Sequence, residues 1–157
     1  MRINRRRLDN IKPKIKGSVK LTPIDDKTGK VLIDEVQEVP NLTVTNGYAL
    51  LASVLAGESE VGYVGVGAGD TDPALADADL EEAIGSRLAI TEAVRSGAIV
   101  VYSTFFSTTD NNGTWREAVL ATDLSGNNTI IARTLFDNDF HKNSTKRCTL
   151  DWSIEIS

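Results

Sequence analysis

The 157-residue chain has little of what catalytic sites and disulfide scaffolds use: one cysteine, one histidine and 6% aromatic residues. A single cysteine, Cys148, excludes an internal disulfide, and its place in an alternating run predicts a buried strand residue rather than a nucleophile. The single histidine, His141, excludes multi-histidine zinc sites and leaves one candidate base for a nucleophile. Because His141 lies in a polar segment and the chain has no G-x-S-x-G motif, we interpret it as a surface residue. We expect a protein that is not an enzyme and uses no cofactor.

Long hydrophobic runs are also missing. No stretch approaches the roughly 18 consecutive apolar residues that a membrane-spanning helix needs. The first 20 residues are charged and contain no apolar core of the kind that defines a secretory signal peptide. We therefore expect neither a membrane span nor classical secretion.

Two motifs resemble ligand sites but fail on spacing. Gly65, Gly67 and Gly69 follow a strand-like stretch, as in phosphate-binding turns, but Asp70 stands where the next glycine belongs, and the acidic residues that follow would repel phosphate. A set of aspartates could offer oxygen ligands to calcium, although their order does not match an EF-hand loop. We favour a solvated acidic loop, with incidental calcium binding as the alternative, for Asp70, Asp72, Asp77 and Asp79.

Charge is distributed unevenly along the chain, whose net charge is -5. Residues 58–82 hold eight carboxylates and no Lys or Arg. Residues 1–16 read as an extended basic arm, and we expect it to dock on an acidic protein surface, such as the 58–82 segment of a neighbour. Nucleic acid is a less favoured partner, since the arm has no aromatic residues to stack on bases. The basic residues of the arm are Arg2, Arg5, Arg6, Arg7, Lys12, Lys14 and Lys16.

One segment, Asn46 to Gly57, predicts an α-helix. Asn46 is a favourable N-cap, and Gly57 can adopt the left-handed conformation that ends a helix. The residues between them are apolar or small all round, which predicts burial on more than one side. We favour a plain core helix over one clamped between a sheet and a neighbouring subunit.

The rest of the chain predicts strands separated by turns. A hairpin is expected around the turn at 25–29, and a second hairpin around Ser96-Gly97. The glycines in the strand at 61–69 predict a close neighbour, for which the preceding helix is the candidate. Asp72-Pro73 could begin a helical turn, and 137–146 reads as a polar connection. The last strand places four side chains inward, namely Leu150, Trp152, Ile154 and Ile156.

These segments predict a mainly β fold: an antiparallel β-sandwich with one packed α-helix and an extended basic N-terminal arm. The arm comprises residues 1–16 and the sandwich residues 17–157. Arg116, Glu117 and Arg133 are charged residues inside apolar strands, where an unpaired charge is costly. We predict a salt bridge from Glu117 to the neighbouring strand, to Arg133, that fixes the strand register.

Four runs, taken in order, resemble a group of structural proteins of tailed bacteriophages and prophages, described as tail, collar or fibre-associated. The matching family features are an N-L-V-T-N-x-G helix start, an A-V-G-T-G-x-T-x-P strand and loop, an N-G-T-I-R-E-V-G-L strand and an A-R strand. Trp115 replaces the usual aliphatic residue, and Ala118-Val119 replaces Val-Gly. The resemblance covers roughly residues 17–156, so the arm lies outside it. The four runs are Asn41 to Gly57, Tyr63 to Ala74, Asn112 to Leu120 and Ile131 to Phe136.

This resemblance implies a non-catalytic building block, made in the host cytoplasm and located in the virion in several copies. Its expected partners are itself, as a homo-oligomer, and other virion proteins at the tail, collar or capsid vertex, where it could act as a fibre adaptor or capsid decoration. The alternative is a β-sandwich that binds host-surface glycans. Trp115 is the one candidate surface aromatic for that role, with calcium held by the 70–79 loop.

Overall fold

The computed structural model describes residues 14–157; the arm residues Arg2, Arg5, Arg6, Arg7 and Lys12 lie outside this range. The described part contains ten β-strands, one α-helix and a short 3₁₀ helix at Ile33–Glu35. The elements are, in chain order, β1 (Ile15–Asp25), β2 (Gln37–Pro40), β3 (Leu42–Thr43), α1 (Thr45–Leu55), β4 (Tyr63–Gly67), β5 (Leu88–Ala89), β6 (Glu92–Ser96), β7 (Ile99–Phe106), β8 (Gly113–Ala121), β9 (Ile130–Lys142) and β10 (Lys146–Ile156).

The strands form two packed antiparallel sheets of five strands each, which confirms the predicted fold class. The first sheet has the order β2-β1-β10-β7-β6, and the second has the order β3-β9-β8-β4-β5. The expected hairpin around Ser96-Gly97 forms from β6 and β7 in the first sheet, whereas β5, just before it in the chain, pairs with β4 in the second sheet. Within residues 14–157, no helix is long and apolar enough to cross a membrane.

The core between the sheets is aromatic at its centre. The Trp115 ring meets Phe106 and Phe140 edge-on, with ring centroids 4.8 Å and 5.3 Å apart. Trp115 is fully buried, and its indole N–H donates to the Asn111 carbonyl at 2.7 Å. The expectation of a surface-exposed Trp115 is therefore wrong, and the sequence loses its one candidate aromatic for sugar binding.

The first sheet is built on the pairing of β1 with β10, which runs from Ile15 opposite Ile156 to Asp25 opposite Lys146. Lys16 lies in β1, and the backbone of Lys14 exchanges two 2.9 Å hydrogen bonds with Ser157, so these two arm residues continue the sheet. The expected hairpin around the turn at 25–29 forms between β1 and β2, but β2 begins only at Gln37 because Ile33–Glu35 form a 3₁₀ helix.

The predicted polar connection at 137–146 is wrong, because β9 continues to Lys142 and only a short turn separates it from β10. Exposed polar residues alternate there with buried Phe140 and Lys142. The Lys142 ammonium donates to the carbonyls of Ser107 and Asp110 and to the Asn112 side chain. Burial lowers the pKa of Lys142, and these three acceptors solvate the charge that the sequence pattern assigned to solvent.

Helix α1 differs from its prediction at both its cap and its faces. Val44 occupies the N-cap position without a side-chain hydrogen bond, while Asn46 lies inside the helix and donates to the Asn128 carbonyl. Gly47 is the one buried helical residue, and a side chain there would meet the Ile131 carbonyl of β9. Tyr48 is 51% exposed and Leu55 83% exposed. The expected burial on more than one side is wrong, since one face contacts the second sheet and the other is open.

The last strand, β10, is buried at one end and open at the other. Leu150, Trp152 and Ile154 point into the core as predicted, but Ile156 is 52% exposed. Cys148 is buried, and burial raises the pKa of its thiol to about 12. The thiol therefore stays protonated, in agreement with its interpretation as a buried strand residue.

Candidate functional site

The outer face of the second sheet carries a buried glutamate, Glu117, in β8. Glu117 and Trp115 are two residues apart and would share a face in a regular strand. A shift in the β8–β9 register between them acts as a β-bulge, so Trp115 enters the core while Glu117 points to the other side. The bulge therefore places a buried carboxylate on the outer face of the second sheet.

The Glu117 carboxylate accepts four hydrogen bonds. Its Oε1 accepts from the backbone N–H groups of Gly69 at 3.0 Å and Glu82 at 2.8 Å. Its Oε2 accepts from the backbone N–H of Glu81 at 3.0 Å and from Arg133 Nε at 2.9 Å. A fully buried carboxylate is stabilised by this many donors, three of which belong to the backbone of one loop.

Arg133 provides the positive charge of the pair, so the salt bridge expected between Glu117 and Arg133 is present. Arg133 lies in β9, and its Nη1 donates to the Thr71 carbonyl at 2.9 Å and to the Asp77 carboxylate at 3.2 Å. Its Nη2 is 3.7 Å from the Glu81 carboxylate and has no hydrogen-bond partner among the described residues. One guanidinium thus joins the sheet to both halves of the loop.

Arg116, which we grouped with this pair, makes a separate one. Its guanidinium binds the Asp139 carboxylate through two 3.1 Å hydrogen bonds on the protein surface and also donates to the Ala68 carbonyl. The hydrogen bonds and charge of Asp139 raise the pKa of Arg116 above its usual value.

Sequence reasoning missed a second buried arginine, Arg87. It donates to the Asp79 carboxylate at 2.9 Å, to the Thr129 hydroxyl at 2.7 Å and to the carbonyls of Asp123 and Gly126. These bonds tie the segment before β5 to the turn between β8 and β9. The signal available in the sequence was position alone, since Arg87 is the first basic residue after the acidic 58–82 segment.

Residues 68–87, which we call the cover loop, lie over the outer face of the second sheet. The glycines of β4 make room for it: a side chain at Gly65 would meet Leu80 and Arg87 at 3.1 Å, and one at Gly67 would meet the Glu82 carbonyl. The predicted close neighbour exists, but it is the cover loop and not the helix. The predicted helical turn at Asp72-Pro73 is absent, and a turn closed by Asp77 N–H to the Ala74 carbonyl stands after it.

The cover loop encloses a small apolar layer of its own. Val119 and Ala121 of β8 pack there with Val44 and Ile130, against Leu80 from the loop. Together with the inner core, this layer buries β8 and the first half of β9 on both faces.

Two arginines of the same chain partly neutralise the acidic 58–82 segment. Asp77 and Asp79 bind Arg133 and Arg87, so their carboxylates face guanidinium groups. Within residues 14–157, no three His, Cys, Asp or Glu side chains come together in a group that could hold a metal ion. The exposed carboxylates that remain for a partner include Asp70, Asp72 and Glu82.

The charged side chains of this network attach the cover loop to the second sheet. Every charged side chain of the network binds an opposite charge or a backbone group, and its geometry joins a loop to a sheet. His141 lies apart from it on the surface, where its ring is 3.1 Å from the Thr114 hydroxyl.

Comparison of the chain with protein-family models, with curated proteins and with solved structures found no match.

Proposed function

We propose that this chain is a non-enzymatic structural protein of a bacteriophage virion that assembles into an oligomer at the tail, collar or vertex and serves as a fibre adaptor. The mechanism is assembly: the sandwich supplies a rigid body, and the basic N-terminal residues attach it to a neighbouring copy. Its location in a virion and its partners follow from this proposal.

One observation carries the proposal: the four runs that resemble the phage structural family become neighbours in space. The first run forms β3 and α1, the second forms β4 and the start of the cover loop, the third lies in β8 and the fourth in β9. These strands are adjacent in the second sheet, in the order β3-β9-β8-β4. The resemblance therefore describes one continuous piece of structure: a sheet with its helix and loop.

The buried charges within that piece support a structural role. Glu117 and Arg133 come from the third and fourth runs, and Gly69 and Thr71, which they bind, come from the second. The polar residues of the family-like pattern thus hold the strands and the loop together. A building block that must keep its shape in a large assembly benefits from such a network.

The test is light scattering behind size-exclusion chromatography, at low salt and at about 0.5 M salt, where the Debye length falls to roughly 4–5 Å. We expect a defined oligomer that loosens as salt rises. The test variant is Arg5→Gln, Arg6→Gln, Arg7→Gln, which should dissociate more readily than the wild type at low salt. A wild-type protein that stays monomeric up to roughly 100 µM would overturn the proposal, since specific assembly weaker than this is marginal.

A further inference from the structure

The sandwich is open at one end, where the inner face of the first sheet extends past its cover. A trough of about 300 Å³ lies there between α1 and the sheet. Its walls are almost entirely apolar and include Leu51, Leu55, Val100, Tyr102, Ile154 and Ile156. This volume is at the lower end of the roughly 300–1,000 Å³ of ligand pockets, which suits a few side chains of an extended segment rather than a folded domain.

The exposure of the trough walls is unusual for side chains that face a core. Leu55 and Ile156 are 83% and 52% exposed, and both would be buried if a further apolar segment lay between them. Exposed apolar side chains that line one concavity mark a binding surface, whereas isolated ones need no explanation.

The N-terminal chain leaves the domain beside this trough. Ile15, the first residue of β1, also lines it, and residues 1–13 precede it outside the described range. That segment contains Leu8 and Ile11 among its basic residues. Fully extended, 13 residues reach at most about 45 Å, which is enough to cross to a neighbouring molecule.

The path of the chain favours a neighbour's trough over the chain's own. Both backbone groups of Lys14 are bonded to Ser157, so the chain leaves in line with β1. Pro13 disfavours a helical conformation at the residue before it. To enter its own trough, the chain would have to reverse within these residues.

Charge at the end of α1 complements the same segment. The helix has no basic residue in its last turn, although a helix C-terminus carries partial negative charge. Glu58, exposed just beyond Gly57, adds a carboxylate three residues after Leu55. In the N-terminal segment, Arg5, Arg6 and Arg7 directly precede Leu8. A single cation lines the trough, Arg95, and its guanidinium donates to the Gly97 carbonyl of its own turn.

We propose that the trough receives Leu8 and Ile11 from residues 1–13 of a neighbouring copy of this chain, with Arg5 to Arg7 placed against Glu58 at the end of α1. This inference rests on the proposed function, because it names the surfaces through which the copies assemble. We expected the basic arm to dock on the acidic 58–82 segment of a neighbour; the proposal keeps Glu58 of that segment and places the apolar residues of the arm in the trough.

The experiment uses full-length variants in sedimentation velocity. Leu55→Arg removes an apolar wall and places a like charge against the arm, while Leu8→Asp with Ile11→Asp disables the arm and keeps the trough. Ile33→Arg, at a residue 79% exposed and outside the trough, is the matched control. We expect at least a tenfold weaker self-association for the first two variants and no change for the control, since one buried leucine contributes tenfold or more to binding.

Mixing separates a neighbour's trough from the chain's own. The trough variant retains an intact arm and the arm variant an intact trough. At a concentration where each variant alone is mostly monomeric, an equimolar mixture should therefore form a 1:1 heterodimer. A mixture that stays monomeric overturns exchange between copies.

A wild-type oligomer that Leu55→Arg leaves unchanged overturns the trough as the interface but leaves the proposed function standing, whereas a monomeric wild type overturns both. Circular dichroism melting checks each variant first. If Leu55→Arg melts early, Ile156→Arg at the opposite wall takes its place, with the same expected outcomes.

Discussion

The outer face of the second sheet and the open end of the first sheet both lie outside the inner core, but the first is covered by the chain itself and the second is exposed. The covered face combines two glycines, Gly65 and Gly67, and the buried Glu117–Arg133 pair with a small apolar layer, and the chain's own cover loop lies over it. The open end has large apolar side chains, Leu55 and Ile156, and within residues 14–157 nothing covers it. Directional hydrogen bonds specify a single position for the cover loop, whereas an apolar trough binds a segment through its shape and its buried area. The first serves internal structure, and the second is the surface that we propose for assembly.

Removing the central carboxylate breaks the covered face most severely. Glu117→Ala leaves the Arg133 guanidinium buried without its main counter-charge and leaves three backbone N–H groups without an acceptor. We expect a loss of about 3–5 kcal/mol in the free energy of unfolding, measured by urea denaturation. The control is Asp139→Ala, which removes the exposed partner of Arg116 and should not shift the urea midpoint measurably. Equal effects of the two substitutions would show that burial of the Glu117 pair carries no special cost.

Crowding the same face from β4 has the next largest effect. Gly67→Ala forces a methyl group against the Glu82 carbonyl and the Glu117 carboxylate. We expect a loss of about 1–3 kcal/mol in unfolding free energy, as for other overpacked sites. Gly62→Ala is the matched control, because its nearest atom, the Thr122 carbonyl oxygen, would lie 3.6 Å away in ordinary contact. If Gly67→Ala is as stable as this control, the cover loop does not press on β4.

Releasing the far end of the cover loop has a smaller, local effect. Arg87→Met keeps the apolar stem and removes the bonds to Asp79 and to the carbonyls of the β8–β9 turn, which are exposed enough for water to replace the donor. We expect a global loss of about 1 kcal/mol. Amide hydrogen exchange should rise in residues 79–87 and stay unchanged in β10. Uniform acceleration across both sheets would contradict a local role.

The two ends of β10 sharpen the comparison within a single strand. Burial raises the pKa of Cys148 to about 12, so the reactive thiolate is scarce at pH 8. A thiol introduced by Ile156→Cys, in a Cys148→Ala background, stands in the open trough with an ordinary pKa near ~8.5. We expect it to react with a thiol reagent at least a hundredfold faster than Cys148 across pH 7 to 9, with its own rate levelling off above its pKa, while Ile156→Cys alone changes the stability by less than about 0.5 kcal/mol. Similar rates at both positions would mean that the trough is closed.

The sandwich could be predicted because alternation and turn residues are local signals, and the Glu117–Arg133 pair because charges inside apolar strands demand partners. The cover loop could not, since Glu117 holds it through backbone N–H groups, which every residue has. The extension of β9 to Lys142 could not be predicted from the sequence, because the buried Lys142 ammonium binds carbonyls that are distant in sequence. The open face of α1 was missed because apolar composition predicts burial without naming what provides it.

The bonding of Glu117 to backbone groups has a consequence for variation. Gly69, Glu81 and Glu82 are held by their amides, so the path and length of the intervening chain are fixed, while several of its side chains point outward. We expect exposed positions such as Asp72 and Ala76 to accept almost any residue, and insertions between them to be rejected. The cover loop is thus a surface of constant shape whose exposed side chains can be substituted one at a time.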